Sequence, residues 1–487
     1  MRRLERRKIA QRRAGTHSKG AFMSILEPSL AEFSLSVPIV VIGAGGCGLT
    51  AALAARDGGA DVLVLERDAS SNGSTGMSTG LIPAAGTRFQ RERGIEDSPE
   101  LFAEDILRKA KHQTDPNIAL VLARESARTI EQLVDRHRVG LTLVDSFLYP
   151  GHSAMRMHGT ANRTGEELMG ALLAACDRAG VDILNEALAT ALFAESSGRI
   201  RGVRIERPDG SHEDIACEAL ILACSGFAGN DGMVAKYIPE IAGATFFGHP
   251  GNSGDAIEWG AALGADIQDI GAYQGHGGLA AGHGIPILWP LIMEGGFQVN
   301  AAGERFSNET LGYSEQAMNV VAQPGNVAWD IYDQRLHTLM FEFQDYRDAV
   351  AARAIQSAPD AAALAAAIGL PAQQLEKTLE EVAEMTRGER ACPFGRKFSA
   401  QHLLKPPYYA VRVTGALFHT QGGLAVDECA RVLRKDGSAF PNLFAGGGAA
   451  RGISGPGAWG YMAGNGLLTA TTFGRLAGET AAALVRR

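Results

Sequence analysis

The stretch Val40-Val41-Ile42-Gly43-Ala44-Gly45-Gly46-Cys47-Gly48 decides the fold of this chain. Its apolar half, which begins at Ile39, is typical of a buried parallel strand, and the Ala- and Leu-rich residues from Leu49 to Arg56 predict a helix. Gly43, Gly45 and Gly48 stand at the G-x-G-x-x-G spacing. There the glycines allow a tight turn, close approach of the backbone to a pyrophosphate, and contact between helix and strand. The helix N-terminus adds N–H groups for the phosphates.

An acidic residue ends the next predicted strand, which runs from Val62 to Leu65. Glu66 lies 18 residues after Gly48, where a carboxylate can accept hydrogen bonds from a ribose. A glycine pattern alone is weak evidence, but the order strand, glycines, helix, strand and acid is specific. It predicts a dinucleotide site and disfavours the alternative, a tight turn in an ordinary α/β unit.

A long segment of small residues, Ser70 to Gly80, follows the acid. Such a loop can wrap a cofactor with backbone and hydroxyl donors, whereas a nicotinamide-binding fold would normally start its next helix sooner. The alternative is a flexible linker. It is disfavoured because Glu66 bounds the loop on one side and the apolar Leu81-Ile82-Pro83 on the other. The loop therefore favours a flavin.

Length and composition narrow the class of protein. A chain of 487 residues is too long for one core, so two or more domains are expected. The net charge of −8 argues against a nucleic-acid partner. The six cysteines have no C-x-x-C spacing and are typical of buried small hydrophobes in a reducing compartment. No membrane span is predicted, since no stretch reaches about 18 apolar residues. No metal site is predicted either.

The N-terminal segment from Met1 to Lys19 is strongly basic and is not followed by the apolar region of a secretory signal. We predict a disordered basic tail over residues 1–36, with Met23 as a possible true start, and a cytoplasmic protein. The chain then divides into a cofactor-binding domain (37–267), a substrate or capping domain (268–419) and the second part of the first domain (420–487). Helical spacing runs from Glu100 to Arg138, and a last helix is predicted from Asn465 to Ala483.

These motifs, in this order, resemble the FAD-dependent superfamily of fumarate reductase, succinate dehydrogenase and 3-ketosteroid dehydrogenase, and are most similar to its ketone-desaturating branch. The resemblance covers nearly the whole chain from Val37 onward. It rests on the glycine turn, the small-residue loop and four later motifs: Gly251-Asn252-Ser253-Gly254-Asp255-Ala256, Gly303-Glu304-Arg305-Phe306-Ser307-Asn308-Glu309, His419-Thr420-Gln421-Gly422-Gly423 and Gly464-Asn465-Gly466-Leu467-Leu468.

The resemblance implies an α/β fold, with a Rossmann-like FAD-binding domain in two sequence segments and an inserted α+β capping domain. The catalytic site would lie where the cap meets the flavin ring. Succinate dehydrogenases attach flavin to a His in the small-residue loop, and this loop has none, so FAD should be non-covalent. The predicted cofactor-binding residues are Gly43, Gly45, Gly46, Cys47, Gly48, Glu66, Arg67, Ser74, Thr75, Gly76, Met77, Ser78, Thr79, Gly80, Ala189, Cys224, Ser225, Gly226, Asp255, Gly447, Asn465, Gly466, Leu467 and Leu468.

The chain departs from the fumarate reductase pattern at its substrate-binding positions. Tyr313 stands where that pattern has a catalytic Arg, Tyr461 where it has a second Arg, and Tyr273 where it has a substrate His. His419 keeps the His of H-T-x-G-G. Two Arg side chains clamp a dicarboxylate through bidentate charged hydrogen bonds, which Tyr cannot do. A fumarate-like substrate is therefore disfavoured.

Tyr313 instead resembles the base of the ketosteroid dehydrogenases, in which a Tyr follows an Asn-Glu motif. Gly455-Pro456-Gly457 also resembles that branch, but Ile453 stands where that branch has a carbonyl-binding Tyr. We therefore predict that Tyr313 transfers the proton and that the Gly457 N–H and the Tyr461 hydroxyl polarise a carbonyl, with His419 and Tyr273 as further catalytic residues. Tyr461 and Tyr273 could instead be packing aromatics, and His419 a structural His.

The leading hypothesis is α,β-dehydrogenation of a cyclic or steroid-like ketone, with an unspecified electron acceptor. The alternative is the reverse chemistry, reduction of an activated C=C bond in an enone or enoate. A third possibility is a flavin-binding sensor or scaffold without turnover. Two further sets of polar residues fit either a site or a surface: His152, Arg156 and His158, expected on a surface loop, and Arg451, expected at flavin phosphate or solvent.

Overall fold

The structure is a computed structural model that describes residues 24–486. Contacts divide these residues into two compact units. The first unit contains residues 24–237, Gly248–Tyr273 and residues 419–486, and the second contains Ile238–Phe247 and Gln274–Phe418. The second unit thus takes in a segment that the predicted boundary at residue 268 leaves out. The reason is a long-range strand pairing: Thr245 and Phe246 pair in parallel with Ala416 and Leu417.

The strands are numbered here in chain order: β1 Ser24–Leu26, β2 Phe33–Ile42, β3 Val62–Leu65, β4 Ile82–Pro83, β5 Thr142–Val144, β6 Met157–Gly159, β7 Asp182–Leu184, β8 Leu188–Ala194, β9 Ile200–Glu206, β10 His212–Leu222, β11 Thr245–Phe246, β12 Ile267–Gln268, β13 Tyr273–Ala280, β14 Ile285–Pro286, β15 Phe297–Val299, β16 Val327–Asp333, β17 Ile355–Ala358, β18 Tyr408–Thr420, β19 Gly423–Leu424, β20 Arg431–Leu433 and β21 Ala439–Ala445.

The α-helices are α1 Gly46–Asp57, α2 Gly73–Met77, α3 Arg88–Glu92, α4 Pro99–Lys109, α5 Pro116–Asp135, α6 Gly165–Ala179, α7 Asp231–Tyr237, α8 Asp255–Leu263, α9 Pro290–Met293, α10 Tyr313–Val321, α11 Gln334–Met340, α12 Gln344–Ala351, α13 Ala361–Ile368, α14 Ala372–Arg387 and α15 Asn465–Val485. Short 3₁₀ turns lie at Pro28–Leu30, Pro239–Ile241, Glu309–Leu311, Pro324–Asn326, Ala400–His402, Gly447–Ala449 and Ala458–Gly460.

The first unit is built on a sheet with the strand order β1-β8-β9-β10-β2-β3-β7, in which β21 also pairs with β10. The strands β10, β2, β3 and β7 run parallel, as the apolar runs predicted. Residues 39–42 of β2 and all of β3 are buried, which is typical of parallel strands covered on both faces. Helices α1 and α15 pack together through small buried residues, among them Ala51, Ala55, Ala477 and Ala481.

The second unit has its own mixed sheet, in the order β14-β13-β18-β16-β15, with β11 and β17 also paired to β18. Helices α13 and α14 carry an apolar face into a separate core with β15 and β16, in which Leu364, Leu375 and Ile331 are fully buried. A unit of strands and helices that is made largely of one inserted segment matches the α+β character expected for this part of the chain.

Several sequence-based boundaries need correction. The predicted disordered tail reached residue 36, but residues 24–36 contain β1, a 3₁₀ turn and the start of β2; β1 pairs with β8, a partner that local composition does not reveal. Residues 1–23, with the basic run and Met23, lie outside the described residues. The predicted helix from Glu100 to Arg138 is two helices, because Asp115 caps a new helix that has Pro116 in its first turn.

Cys47, Cys176 and Cys217 are buried as predicted, whereas Cys224, Cys392 and Cys429 are only partly covered; all six are free thiols. Among residues 24–486, no helix is both long enough and apolar enough to cross a bilayer.

Candidate functional site

The glycine turn lies at the carboxyl end of β2 and requires two of its glycines for steric reasons. Gly43 has a φ of +105°, and a Cβ there would lie 2.5 Å from the carbonyl oxygen of Ala223. A Cβ at Gly48 would lie 1.8 Å from the carbonyl oxygen of Gly43. Both approaches are shorter than any real Cβ contact, so the turn can exist only with glycine at these positions.

The first turn of α1 is held by the small-residue segment. The N–H of Gly46 donates to Oγ1 of Thr75 at 3.0 Å. The segment itself is a correction: Gly73–Met77 forms the short helix α2, where a continuous loop was expected. The N-cap residue, Gly45, has no side chain to cap the other N–H groups of this turn, so the helix N-terminus presents backbone N–H groups and a positive dipole end of the kind that binds a pyrophosphate.

Glu66 is buried, at 7% exposure, and already has two backbone partners. Its Oε2 accepts from the N–H of Ala44 and its Oε1 from the N–H of Asp68, both at 3.0 Å. A carboxylate has about four acceptor positions, so two remain for ribose hydroxyls. Glu66 therefore also ties the glycine turn to the end of β3, a structural role that the sequence argument missed.

The remaining predicted cofactor residues are spread along the first unit. Ser74 accepts at Oγ from the Asn252 amide at 3.1 Å, and Arg67 lies 3.5 Å from Asp68. Asp255 begins α8, and burial raises the pKa of its carboxyl. Residues Met77 to Gly80 follow Thr75, and Cys47 lies in α1. Ala189 lies in β8 opposite Ile205, and Cys224-Ser225-Gly226 follow β10. Gly447 begins the 3₁₀ turn after β21.

A second helix N-terminus, that of α15, holds an unsatisfied polar atom. Nδ2 of Asn465 donates to Oγ of Ser454 at 3.2 Å, whereas its Oδ1 is buried and has no hydrogen-bond partner among residues 24–486. Such an atom costs free energy unless a ligand or water meets it. Asn465, with Gly466, Leu467 and Leu468 behind it, therefore fits a polar edge of a bound flavin.

His419 lies beside this helix start. Its Nδ1 is 3.1 Å from Nε2 of Gln421 and 3.3 Å from the carbonyl oxygen of Thr420. Burial lowers the pKa of the imidazole to about 4, so the ring is neutral at pH 7. The ring of Tyr461, which is 6% exposed, stands edge-on to it with the centroids 5.8 Å apart.

Four of the five predicted catalytic residues belong to the first unit: Tyr273, His419, Gly457 and Tyr461. Tyr273 is fully buried at the start of β13, and the preceding carbonyl oxygen, of Ala272, accepts from the N–H of Gln421 at 2.8 Å. Gly457 precedes the 3₁₀ turn Ala458–Gly460 that leads to Tyr461. The structure thus brings His419, Gln421 and Tyr461 together with the start of α15.

Tyr313 belongs to the second unit, where it begins α10 within an aromatic cluster. Its ring centroid lies 5.3 Å from that of His276 and 6.2 Å from that of Trp289. His276 also stacks on Phe418 at 5.4 Å, and burial lowers its pKa to about 4. Sequence reasoning did not assign this cluster, because its members lie on separate segments with no shared motif.

The Asn-Glu motif before Tyr313 has a structural reason. Glu309 is fully buried and accepts from Arg305 at 2.8 Å and from Arg396 at 3.1 Å. Burial would raise the pKa of its carboxyl, but the two guanidinium groups outweigh burial and hold the pKa below 4.5. The ion pairs fix the turn from which α10, and with it Tyr313, begins. Arg305 lies only four residues before Glu309, whereas Arg396 lies 87 residues after it, a distance at which the sequence carries no local signal.

Both sets of polar candidates form internal contacts with the protein. His152, Arg156 and His158, expected on a surface loop, are buried in the first unit, where Arg156 pairs with Asp97 and Asp105. The carboxylate partners of Arg156 lie 59 and 51 residues away, which is why the local pattern looked like a loop. Arg451 pairs with Asp269 at 2.7 Å and lies 3.5 Å from Asp115, so its charge is already neutralised.

Comparisons with known proteins agree with this geometry. The family model described as "FAD binding domain" matches residues 38–467. The fumarate reductase (cytochrome) of Shewanella frigidimarina is 27% identical over 449 residues, which cover 92% of this chain and 77% of the relative. Among solved structures, the open conformation of a flavocytochrome c3 fumarate reductase is 27% identical with a TM-score of 0.80, covering 94% of this chain and 80% of that one.

The 3-ketosteroid-Δ4-(5α)-dehydrogenase of Rhodococcus jostii RHA1 has a TM-score of 0.75 at 24% identity, covers 94% of this chain and 99% of that chain, and shows the fold alone. Both branches of the predicted resemblance are thus among the matches, and the predicted α/β fold class is confirmed.

Proposed function

Because this chain belongs to the FAD binding domain family and is an FAD-dependent oxidoreductase, we propose that its reaction is the α,β-dehydrogenation of a cyclic or steroid-like ketone. The observation that carries the proposal is the pair of tyrosines at Tyr313 and Tyr461, where the fumarate reductase pattern has arginines. A tyrosine hydroxyl can donate to a carbonyl oxygen or exchange a proton, whereas a dicarboxylate needs bidentate cations.

In the proposed reaction one residue accepts a proton and two residues donate hydrogen bonds. Tyr313, as phenolate, takes the acidic proton from the carbon next to the carbonyl. The Tyr461 hydroxyl and the Gly457 N–H donate to the carbonyl oxygen, where negative charge develops as that proton leaves. Bound FAD would supply the acceptor for the hydride that leaves the β-carbon. Because the phenolate is the form that accepts the proton, the rate should rise with pH.

We further propose that FAD is held without a covalent bond, as the His-free segment Ser70 to Gly80 implies. Acid precipitation of the holoprotein should release a yellow supernatant. Flavin that stays in the pellet would contradict this. A cytoplasmic location stays a proposal and rests on the six cysteines, all of them free thiols.

A second candidate function is the reduction of an activated C=C bond, with Tyr313 as proton donor. The named relatives favour it, since fumarate reductases match this chain at 27% identity. The two candidates differ in direction and in substrate charge. Turnover of cyclic ketones with an artificial acceptor should exceed turnover of fumarate with a reduced dye. Fumarate reduction as fast as the best ketone oxidation would favour the second function.

The assignment of Tyr313 is tested by Tyr313→Phe, which keeps the ring in its cluster with His276 and Trp289 and removes only the hydroxyl. The rate of flavin reduction in stopped flow should fall about 10²–10⁴-fold while FAD content is unchanged. Tyr409→Phe is the matched control, since it removes a tyrosine hydroxyl that bonds Gln334. A Tyr313→Phe variant that keeps most of its rate would place the base elsewhere.

A further inference from the structure

Four polar side chains at the start of α15 form a continuous hydrogen-bonded row. Asn465 Nδ2 donates to Ser454 Oγ at 3.2 Å, Ser454 Oγ donates to Gln421 Oε1 at 3.3 Å, and Gln421 Nε2 lies 3.1 Å from His419 Nδ1. Ser454 and Asn465 are at most 1% exposed and Gln421 is 3% exposed. A buried row of this kind has a direction, because each amide nitrogen can only donate and each amide oxygen can only accept.

The direction of the row decides which ring nitrogen of His419 carries the proton. Ser454 has a single hydroxyl proton; it accepts from Asn465 and so gives that proton to Gln421 Oε1. The amide nitrogen of Gln421 then donates to His419, and Nδ1 must accept with its lone pair. In a neutral imidazole the other nitrogen, Nε2, therefore holds the proton.

From this geometry we propose that Gln421 is a positioning residue that sets the tautomer of His419, so that Nε2–H is a hydrogen-bond donor and His419 does not act as a base. The tautomer follows from the hydrogen-bonded row and the orientation of its two amides, and it does not depend on the substrate. The identity of the acceptor rests on the proposed function: there, Nε2–H would be a third donor to the carbonyl oxygen, beside Tyr461 and Gly457.

The surroundings of Nε2 agree with a donor that is kept for a ligand. A Cβ added at Gly466 would lie 2.9 Å from both Nε2 and Cε1, so the ring edge rests directly on the first turn of α15. The titratable group that the described contacts place against the imidazole is the Tyr461 phenol, and Gln421, Ser454 and Asn465 are neutral. The Thr420 carbonyl, 3.3 Å from Nδ1, favours the opposite tautomer, but the Gln421 contact is shorter.

The opposite arrangement is the one to exclude. If the amides of Gln421 and Asn465 were both turned over, Nδ1–H would donate to the Gln421 oxygen and Nε2 would be an acceptor. The two arrangements respond differently to Gln421→Glu: in the proposed one the proton moves from Nε2 to Nδ1, and in the opposite one it stays on Nδ1. A carboxylate at this position can only accept, so it forces the proton onto Nδ1.

The direct test needs no substrate. In the FAD-loaded protein with ¹⁵N-labelled histidine, the two-dimensional ¹H–¹⁵N spectrum distinguishes the two neutral tautomers, and the His419 signal is assigned by its loss in His419→Asn. We expect the Nε2–H pattern in the wild type and the Nδ1–H or imidazolium pattern in Gln421→Glu. An Nδ1–H pattern in the wild type would overturn the proposal, whatever the substrate of the enzyme proves to be.

A kinetic test follows with the best ketone found. In Gln421→Glu the carboxylate raises the pKa of His419. Below that pKa the imidazolium still donates from Nε2, and above it the donor is lost. The kcat relative to wild type should therefore fall as pH rises from 6 to 9, by up to about 10²-fold, with a smaller change in KM.

Two variants serve as comparisons in that kinetic test. Gln373→Glu, on the exposed face of α14, should follow the wild-type pH profile. Gln421→Met, which frees Nδ1 without adding charge, should lose rate equally at all pH values. Undiminished kcat of Gln421→Glu at pH 9 would contradict the proposal. Absence of ketone turnover in every variant, together with the Nε2–H signal in the wild type, would instead contradict the proposed function alone.

Discussion

Each unit contains a buried ionic cluster that links segments of the chain. The two clusters have opposite ratios of cations to carboxylates at their centres. In the first unit one buried cation, Arg156, faces two carboxylates, those of Asp97 and Asp105, at 2.9 and 2.7 Å, and the exposed Arg108 pairs with Asp105 from outside. In the second unit one carboxylate, that of Glu309, faces two cations, those of Arg305 and Arg396. In both clusters the shared member is fully buried and holds together segments that are distant in sequence.

The two clusters support different helix starts. Arg156 Nη1 lies 3.4 Å from Nδ1 of His152, whose Nε2 donates to the carbonyl oxygen of Ala463 at 2.9 Å, next to the start of α15. Glu309 lies in the turn that leads to α10 and Tyr313. Each cluster therefore supports a helix start that carries proposed site residues, and in each the shared charge is the vulnerable member.

The largest effect is expected when the shared cation is removed. Arg156→Met leaves the buried Asp97 carboxylate without its cation and leaves Asp105 with Arg108 alone, and breaking such a buried pair typically costs about 3–5 kcal/mol of unfolding free energy. Urea denaturation of the FAD-loaded protein measures the loss. Arg390→Met, which breaks exposed ion pairs with Glu381 and Glu384, should cost about 0–1 kcal/mol. Equal losses of unfolding free energy in the two variants would show that the buried ion pairs stabilise the fold no more than the exposed ones do.

The reverse charge ratio is tested by Glu309→Gln, which leaves Arg305 and Arg396 facing each other. A loss on the order of 2–3 kcal/mol at pH 7 is expected, since Gln can still accept one hydrogen bond. The wild type should lose this stabilisation as pH falls below the usual pKa of 4.5, because the folded-state pKa of Glu309 is lowered. The variant should lack that acid-dependent loss. Parallel pH profiles for variant and wild type would contradict the assignment.

The two clusters also mark the limit of what sequence alone predicts. The glycine turn, Glu66 and the parallel strands β2 and β3 were placed correctly because their contacts are local and their geometry depends on the backbone. The carboxylate partners of Arg156 and the Arg396 partner of Glu309 could not be found, since an ion pair between residues 51 to 87 positions apart leaves no periodic signal. The same holds for β11, which joined the second unit through a strand more than 170 residues away.

The candidate site shows the same contrast between residues that a local motif identifies and residues whose partners lie on distant segments. The motif H-T-x-G-G pointed to His419, but the residue at its variable position, Gln421, acquires a role only through Ser454 and Asn465, which another segment supplies. Tyr313 was selected by its place after Asn308-Glu309, and the structure supplies the physical reason in the buried carboxylate that anchors the turn.

The smallest expected effect has the opposite sign and concerns a carboxylate beside the Glu309 cluster. Asp330 is buried and accepts from Nε2 of Gln298 at 2.7 Å. Burial, together with the charge of Glu309, raises the pKa of Asp330 to about 7, against an ordinary value of 3.8. Between these two values the folded chain binds more protons than the unfolded chain. The contribution of Asp330 therefore destabilises the fold as pH rises from about 4 to about 7, and is constant above that.

Asp330→Asn removes that charge and keeps an oxygen for Gln298, so the variant should be more stable than the wild type at pH 8, by on the order of 1 kcal/mol, and equal to it near pH 4. Thermal unfolding of the two proteins at both pH values measures the difference. The expected results differ in sign. Removing a shared buried charge lowers the free energy of unfolding, whereas neutralising a buried carboxylate that has no cation raises it. A variant that is less stable than the wild type at pH 8 would mean that Asp330 has a cationic partner in the folded protein.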